Sequence, residues 1–252
     1  MNLPIRSSVL YPVFSILFLV VLWEAIIRFS GWSEQVFPGP IVVFKAFFEL
    51  VANGTLLNHS VASLYRVTVG FYLAAILGIP IGILLGMNRV ADKMVNPLVQ
   101  FLRPISPLAW IPLAMLWFGI GDNPAIFLIF LSSFFSLIVA TAIAVRSINP
   151  IYFQVAANFN FNRLELIKKI VVPAIVPNVV TALRLTIAVA WLVVVAAEMI
   201  AVQSGLGYLI LDSRNALRMD YVMVGMIVIG FIGLFLDLIM LKLSKSEWNF
   251  GH

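Results

Sequence analysis

Arg184, Trp191 and Glu198 recur at seven-residue spacing, so on a helix they share one face. An arginine placed there can attract an anion and a glutamate can accept a hydrogen bond. At the ~1.5 Å rise of a helix the two lie about 21 Å apart and cannot pair with each other. Each needs another partner. Earlier in the chain Ser106, Trp110 and Trp117 fall near one face, with Arg103 just before them, and Ser132, Ser133 and Ser136 offer hydroxyls. Two roles fit the arginines: attraction of an anion, or anchoring of helix ends to loops or headgroups. The serines can bond a solute, the backbone or a neighbouring helix. Covalent and metal chemistry finds little support. The chain has no cysteine, only His59 and His252 as histidines, and no Gly-Lys dipeptide, so it carries no Lys-bearing phosphate-binding loop. No metal site is expected, and no close carboxylate pair in the apolar segments supplies an embedded enzyme's chemistry.

The elements that must position these groups follow from composition. Of 252 residues 62% are hydrophobic and 11% charged, far from the roughly one quarter charged of a soluble domain. Too few charges remain for a water-facing shell, so lipid must cover much of the surface. The formal charge of +5 points to basic cytoplasmic loops rather than to nucleic acid. The fold class expected is an all-α membrane protein with six transmembrane helices: Ser7–Ile27, Val67–Met87, Leu98–Phe118, Ala125–Val145, Val179–Ile200 and Val222–Leu241. The first shows no convincing small-residue cleavage site and reads as retained. With both termini cytoplasmic, nine Lys and Arg fall inside and five outside, Arg66 among the outer ones.

Gly78, Gly82 and Gly86 recur every four residues and leave one face of the second span open to another backbone, either a helix of the same chain or a second subunit. Pro104, Pro107 and Pro112 each remove a backbone donor, so the third span is expected to be kinked or broken. After the turn at Phe37-Pro38-Gly39-Pro40, a helix over Ile41–Ala52 gathers Val43, Phe47, Leu50 and Val51 near one another and is expected at the outer interface. The loop from Ala201 to Tyr221 reads as ordered.

The segment 146–178 carries the clearest design. Pro150 suits a first helical turn, Ile151–Phe159 can be helical, Asn160-Phe161-Asn162 tolerates left-handed backbone, and a second helix over Arg163–Val171 is expected to end near Pro173. A helix, break and helix protruding from a membrane domain form a knob built to dock.

Val155-Ala156-Ala157, followed by Ile170-Val171-Val172-Pro173-Ala174-Ile175-Val176-Pro177 and Leu183-Arg184, resembles the EAA loop of permease subunits of binding-protein-dependent ABC importers. Phe37-Pro38-Gly39-Pro40, the run Leu102 to Pro112, Trp117-Phe118-Gly119-Ile120-Gly121, Ala196-Ala197-Glu198 and Gly205-Leu206-Gly207-Tyr208 are similar to the nitrate, taurine, aliphatic sulfonate and bicarbonate group of that family. Together they span about Phe37 to Tyr221. Two departures stand out. Val155 and Phe161 occupy the places of the loop's usual glutamate and glycine, and Ala182 that of a frequent glycine. Phe161 resists positive φ, which leaves the role to a flanking Asn.

The resemblance implies a type I ABC importer permease-like fold, with the chain (1–252) as a single transmembrane permease domain of the bacterial inner membrane. It implies two cytoplasmic ATPase subunits that use ATP and Mg, a second permease copy giving a homodimer, and an extracytoplasmic solute-binding protein. No cofactor is expected on this chain. Ala156, Ala157, Phe159, Phe161, Arg163, Glu165 and Lys168 are the expected contacts to the ATPase. Arg103, Ser106, Trp110, Trp117, Ser132, Ser136, Arg184, Trp191 and Glu198 are the expected pathway groups for a small oxyanion. The competing reading is a secondary transporter or channel driven by an ion gradient. The chain nearly lacks the acidic or histidine residues near mid-membrane that such a protein uses, since Glu24, Glu198 and Asp237 lie toward span ends.

Overall fold

Large apolar side chains lie on the outside of this molecule, among them Phe14, Leu84, Leu116, Leu192 and Phe231, as a chain with too few charges to face water requires. The computed structural model describes residues 5–31, 33 and 36–248. Glu34 and His252 lie outside them, as do the first and last four residues. Among the described residues every regular element is helical.

Helix α1 (Ile5–Ser30) is followed by the shorter α2 (Pro40–Ala52) and by α3 (Thr55–Met87). Then come α4 (Arg89–Leu102), a 3₁₀ turn (Pro107–Trp110), α5 (Ile111–Phe118) and α6 (Asp122–Arg146). An elbow of α7 (Pro150–Asn158) and α8 (Arg163–Leu166) leads through a π-helical turn (Ile167–Val171) into α9 (Val172–Ala201). The chain closes with α10 (Leu206–Asn215) and α11 (Met219–Trp248). Among the described residues four helices are long and apolar enough to cross a membrane, and five if the bent pair Arg89–Leu102 and Pro107–Phe118 counts as one span. The first of the six expected spans coincides with α1, several of whose side chains are not described.

The bent pair turns by 87° where Pro104 and Pro107 withhold backbone donors, the break expected of the third span. The glycine ridge settles its own partner. Gly70, Gly78, Gly82 and Gly86 of α3 face α6, and a Cβ at position 82 would stand 2.6 Å from the Thr141 Cβ and 2.8 Å from the Ile138 carbonyl oxygen. The groove is therefore a contact inside the chain, and α3 against α6 is the most extensive helix pair.

One expected boundary and one expected face move. The second elbow helix does not end near Pro173. It runs on into α9, because the π turn immediately before Pro173 shifts the backbone pairing where a proline ring and missing N–H would break a regular ladder. The buried face of α2 is Val43, Ala46 and Leu50. Phe47 and Val51 point outward, since 43, 46 and 50 are the spacings that align on one side of a 3.6-residue helix. That face joins Val67 and Phe71 of α3, Trp191 and Val194 of α9, and Leu206 of α10 in the largest core cluster.

Candidate functional site

Three polar constructions stand out: the elbow, a buried clasp at the opposite end of the bundle, and scattered groups between them.

The elbow is built by local caps. The Asn149 side chain accepts from the Ile151 N–H at 3.0 Å while Pro150 opens α7. At the far end Asn160 takes the left-handed conformation with φ 54°. The Asn160 and Phe161 N–H groups donate to the Ala157 and Ala156 carbonyls, each at 3.0 Å. This six-to-one closure usually uses glycine. Here Asn160 supplies the positive φ that Phe161 cannot. Asn162 and Glu165 then form a reciprocal capping box, with bonds of 2.9 and 3.1 Å. Glu165 also pairs with Lys169 at 3.0 Å, and the Lys169 ammonium sits 4.7 Å over the Phe161 ring.

These caps decide which side chains are free to meet a partner. Ala156 is buried at 2% exposure, whereas Ala157 is exposed and Phe159 is 72% exposed, its ring 6.2 Å from that of the half-buried Phe161. Arg163 and Lys168 are exposed and make no ion pair among the described residues. The anchor to the bundle is Phe153, packed with Leu166 against Val145, Ile148 and Val171. Sequence reasoning missed Phe153 and Lys169. Phe153 lies three residues before Ala156, the helical spacing that could have disclosed it.

The clasp solves the partner problem of Glu198. Arg66 donates from Nη1 to Glu198 at 2.6 Å and to the Ser204 carbonyl at 2.8 Å, from Nη2 to the Ser204 hydroxyl, and from Nε to Asp122 at 2.8 Å. Arg66 and Glu198 are 1% and 0% exposed. The second Glu198 oxygen accepts from Ser63 at 2.8 Å and from the Gly207 N–H at 3.0 Å. The Leu206 N–H donates to the Ser63 hydroxyl and the Gly205 N–H to His59 Nδ1. Gly205-Leu206-Gly207 thus spends three consecutive backbone donors here. Gly205 has φ 102°, and any side chain on it would run into the Glu198 carboxylate. Arg66 was expected in an outer loop. It lies well inside α3, which starts at Thr55, and its charge is matched by two carboxylates. The signal available was Glu198 itself, a carboxylate in an apolar helix that demands a cation.

Nearby, Arg218 links α2 to α11. It pairs with Asp220 at 2.9 Å and Glu49 at 3.4 Å, and lies 3.7 Å over the Tyr221 ring. The Asp220 carboxylate holds its pKa above the ordinary arginine value.

The expected pathway groups do not converge. Arg184 pairs in two-pronged fashion with Asp237 of α11, both bonds 2.7 Å. The Trp191 indole donates to the Ile229 carbonyl at 3.0 Å. Ser132 and Ser136 donate to carbonyls of their own helix, those of Ile129 and Ser132. Arg103 and Ser106 are exposed at the proline break, and Trp117 is exposed with its ring 5.9 Å from Phe127. The Trp110 indole N–H is buried without a hydrogen-bond partner among the described residues. Among the same residues no cluster of three or more metal-ligating side chains occurs.

Among the described residues the bundle holds four helices, or five with the bent pair, that are apolar and long enough to cross a membrane, and comparison with known proteins gives its family. Residues 78–246 match the family described as binding-protein-dependent transport system inner membrane component. The chain belongs to that family, the permease subunits of ABC importers. The bicarbonate transport system permease of Synechococcus elongatus is 35% identical over 92% of this chain and 86% of its own. A Bacillus subtilis permease assigned to aliphatic sulfonates is 34% identical over 92% and 84%. The taurine transport system permease of Escherichia coli is 28% identical over 98% and 92%. Among solved structures, the inward-facing MetNI methionine ABC transporter aligns with TM-score 0.66 at 15% identity, covering 74% of this chain and 93% of that one. A bacterial ABC transporter importing alginate aligns with TM-score 0.65 at 17% identity, covering 96% of each. These likenesses give the fold, that of a type I importer permease.

Proposed function

We propose that this chain carries a small oxyanion across the bacterial inner membrane by alternating access, with its elbow seated in a cytoplasmic ATPase subunit. The solute class is bicarbonate, a sulfonate, taurine or nitrate. The relatives named for sulfonate, bicarbonate and taurine transport support that class, since each matches over nine tenths of this chain. The whole chain acts as one permease domain, with residues 146–178 as the coupling loop and both termini cytoplasmic. Two copies pair, two ATPase subunits bind and hydrolyse ATP with Mg, and a binding protein delivers solute to the clasp end.

The observation that carries the coupling role is the division of the elbow's faces. Phe153 packs against the bundle and Ala156 is buried, while Ala157, Phe159, Arg163 and Lys168 stay outward. A rigid, doubly capped knob moves as one body when its seat moves, and packed helices pass that motion on as a switch between two states. Arg103, Ser106, Trp110 and Trp117, at the broken third span, are the proposed solute-path groups. Ser132, Ser136, Arg184, Trp191 and Glu198 act there through the helices that they fasten.

Proteoliposomes holding the complete importer and its binding protein test this. Labelled bicarbonate, taurine or an alkanesulfonate is expected to accumulate with ATP present and ion gradients collapsed, and to stop accumulating without ATP. Uptake that follows the gradients and ignores ATP identifies a secondary transporter or channel instead.

A further inference from the structure

Beside the elbow lies a groove of about 660 Å³ between the end of α3, the start of α4 and α8, within the roughly 300–1,000 Å³ typical of small-ligand sites. Its walls are apolar, with Pro80, Ile83 and Leu84 on one side and Leu166 and Ile167 on the other. Two cations, Arg89 and Arg163, also line it. Neither makes an ion pair among the described residues, because the nearby carboxylates are taken: Asp92 by Arg146, Glu165 by Lys169. Asn88, the other polar lining residue, already accepts the Val90 and Ala91 N–H groups. The apolar wall continues outward through Leu84 and Val90, 58% and 68% exposed.

We propose that this groove binds an anionic glycerophospholipid of the leaflet on the elbow side, its phosphate held by Arg89 and Arg163 and an acyl chain laid along Ile83, Leu84 and Ile167. Charge complementarity selects the headgroup: two uncompensated arginines at the mouth of an apolar cleft in a membrane-spanning chain fit a lipid that is negative at one end and oily at the other. A small free anion has no use for the apolar walls. Arg163 begins the second elbow helix and Arg89 begins α4, so one bound lipid ties the elbow to the third span. The inference rests on the chain spanning a bilayer; it gives Arg163 to the lipid and leaves Ala157, Phe159 and Lys168 as the outward contacts of the elbow.

The full chain, purified in neutral detergent and titrated with dioleoyl phosphatidylglycerol or phosphatidylcholine, reports binding by native mass spectrometry. Phosphatidylglycerol is expected to bind preferentially, with the preference falling about thirtyfold in R89Q/R163Q, at roughly one kcal/mol per basic residue. R89K/R163K keeps most of it, and Arg214→Gln at the clasp end leaves it unchanged. Equal binding of the two lipids, an unaltered preference in R89Q/R163Q, or displacement by millimolar inorganic phosphate overturns the proposal. If R89Q/R163Q fails to fold, a photoreactive residue at position 90 in native membranes decides: attachment to phospholipid supports the site, and attachment to another polypeptide makes it a protein interface instead.

Discussion

Replacing Glu198 with alanine is expected to destabilise the membrane domain by about 3–5 kcal/mol, the usual cost of removing one partner of a buried ion pair. Arg66 is then left at 1% exposure with only Asp122, itself half exposed, as counter-charge. The Gly207 N–H and the Ser63 hydroxyl lose their shared acceptor as well. Arg66→Ala is expected to cost a similar amount, because Glu198 becomes a buried carboxylate without a cation. R66M/E198M, which removes both charges and keeps the volume, should lose clearly less than the two single losses added together. Thermal unfolding of the unaltered protein, R66M, E198M and R66M/E198M in one detergent measures the cycle. Equal and additive losses would show that the residues do not act as a pair. The clasp draws α3, α6, α9 and the loop before α10 to one point, so the same variants report whether the end of the bundle opposite the elbow is fastened there.

Gly82→Val is expected to cost about 1–3 kcal/mol or more, the range for forcing extra methyl groups into a packed contact. The obstruction is rigid. The first added carbon would meet the Ile138 carbonyl oxygen at 2.8 Å and the Thr141 Cβ at 2.6 Å, and neither is the flexible end of a side chain. Helix α3 must back away from α6, and the register at Gly78 and Gly86 moves with it. Gly230→Val, at a glycine with open space around it, is the comparison and should cost far less. A melting temperature for Gly82→Val equal to that of the unaltered protein would mean that α3 and α6 are not held at this distance.

Patterns internal to one helix were legible in the residues alone. Pro104 and Pro107 announce the break in the third span because each lacks an N–H. The glycine ridge announces a close helix neighbour, though not which helix. Pro150 marks the start of the first elbow helix, and Asn160 and Asn162 mark the turn after it, through the chemistry of their side chains. What long-range packing decides was not legible. Arg66 and Glu198 stand 132 positions apart, so nothing local distinguishes a loop arginine from one three turns into a helix. Arg184 found Asp237 in the same way, 53 positions on. The inward and outward assignments of Ala156 and Ala157 depend on where α7 docks, and Phe153 sets that. The π turn before Pro173 has no sequence signature beyond the proline that it accommodates.

The outward face of the elbow is the proposed seat for the ATPase, and Ala157→Asp in the assembled importer tests it. Burying an unpaired carboxylate in that interface should cost several kcal/mol of docking. Solute-stimulated ATP hydrolysis is therefore expected to fall about tenfold or more, while the exposed position leaves the melting temperature of the membrane domain unchanged. Full stimulated hydrolysis in Ala157→Asp, and again in Phe159→Asp, would contradict the seat and with it the coupling role.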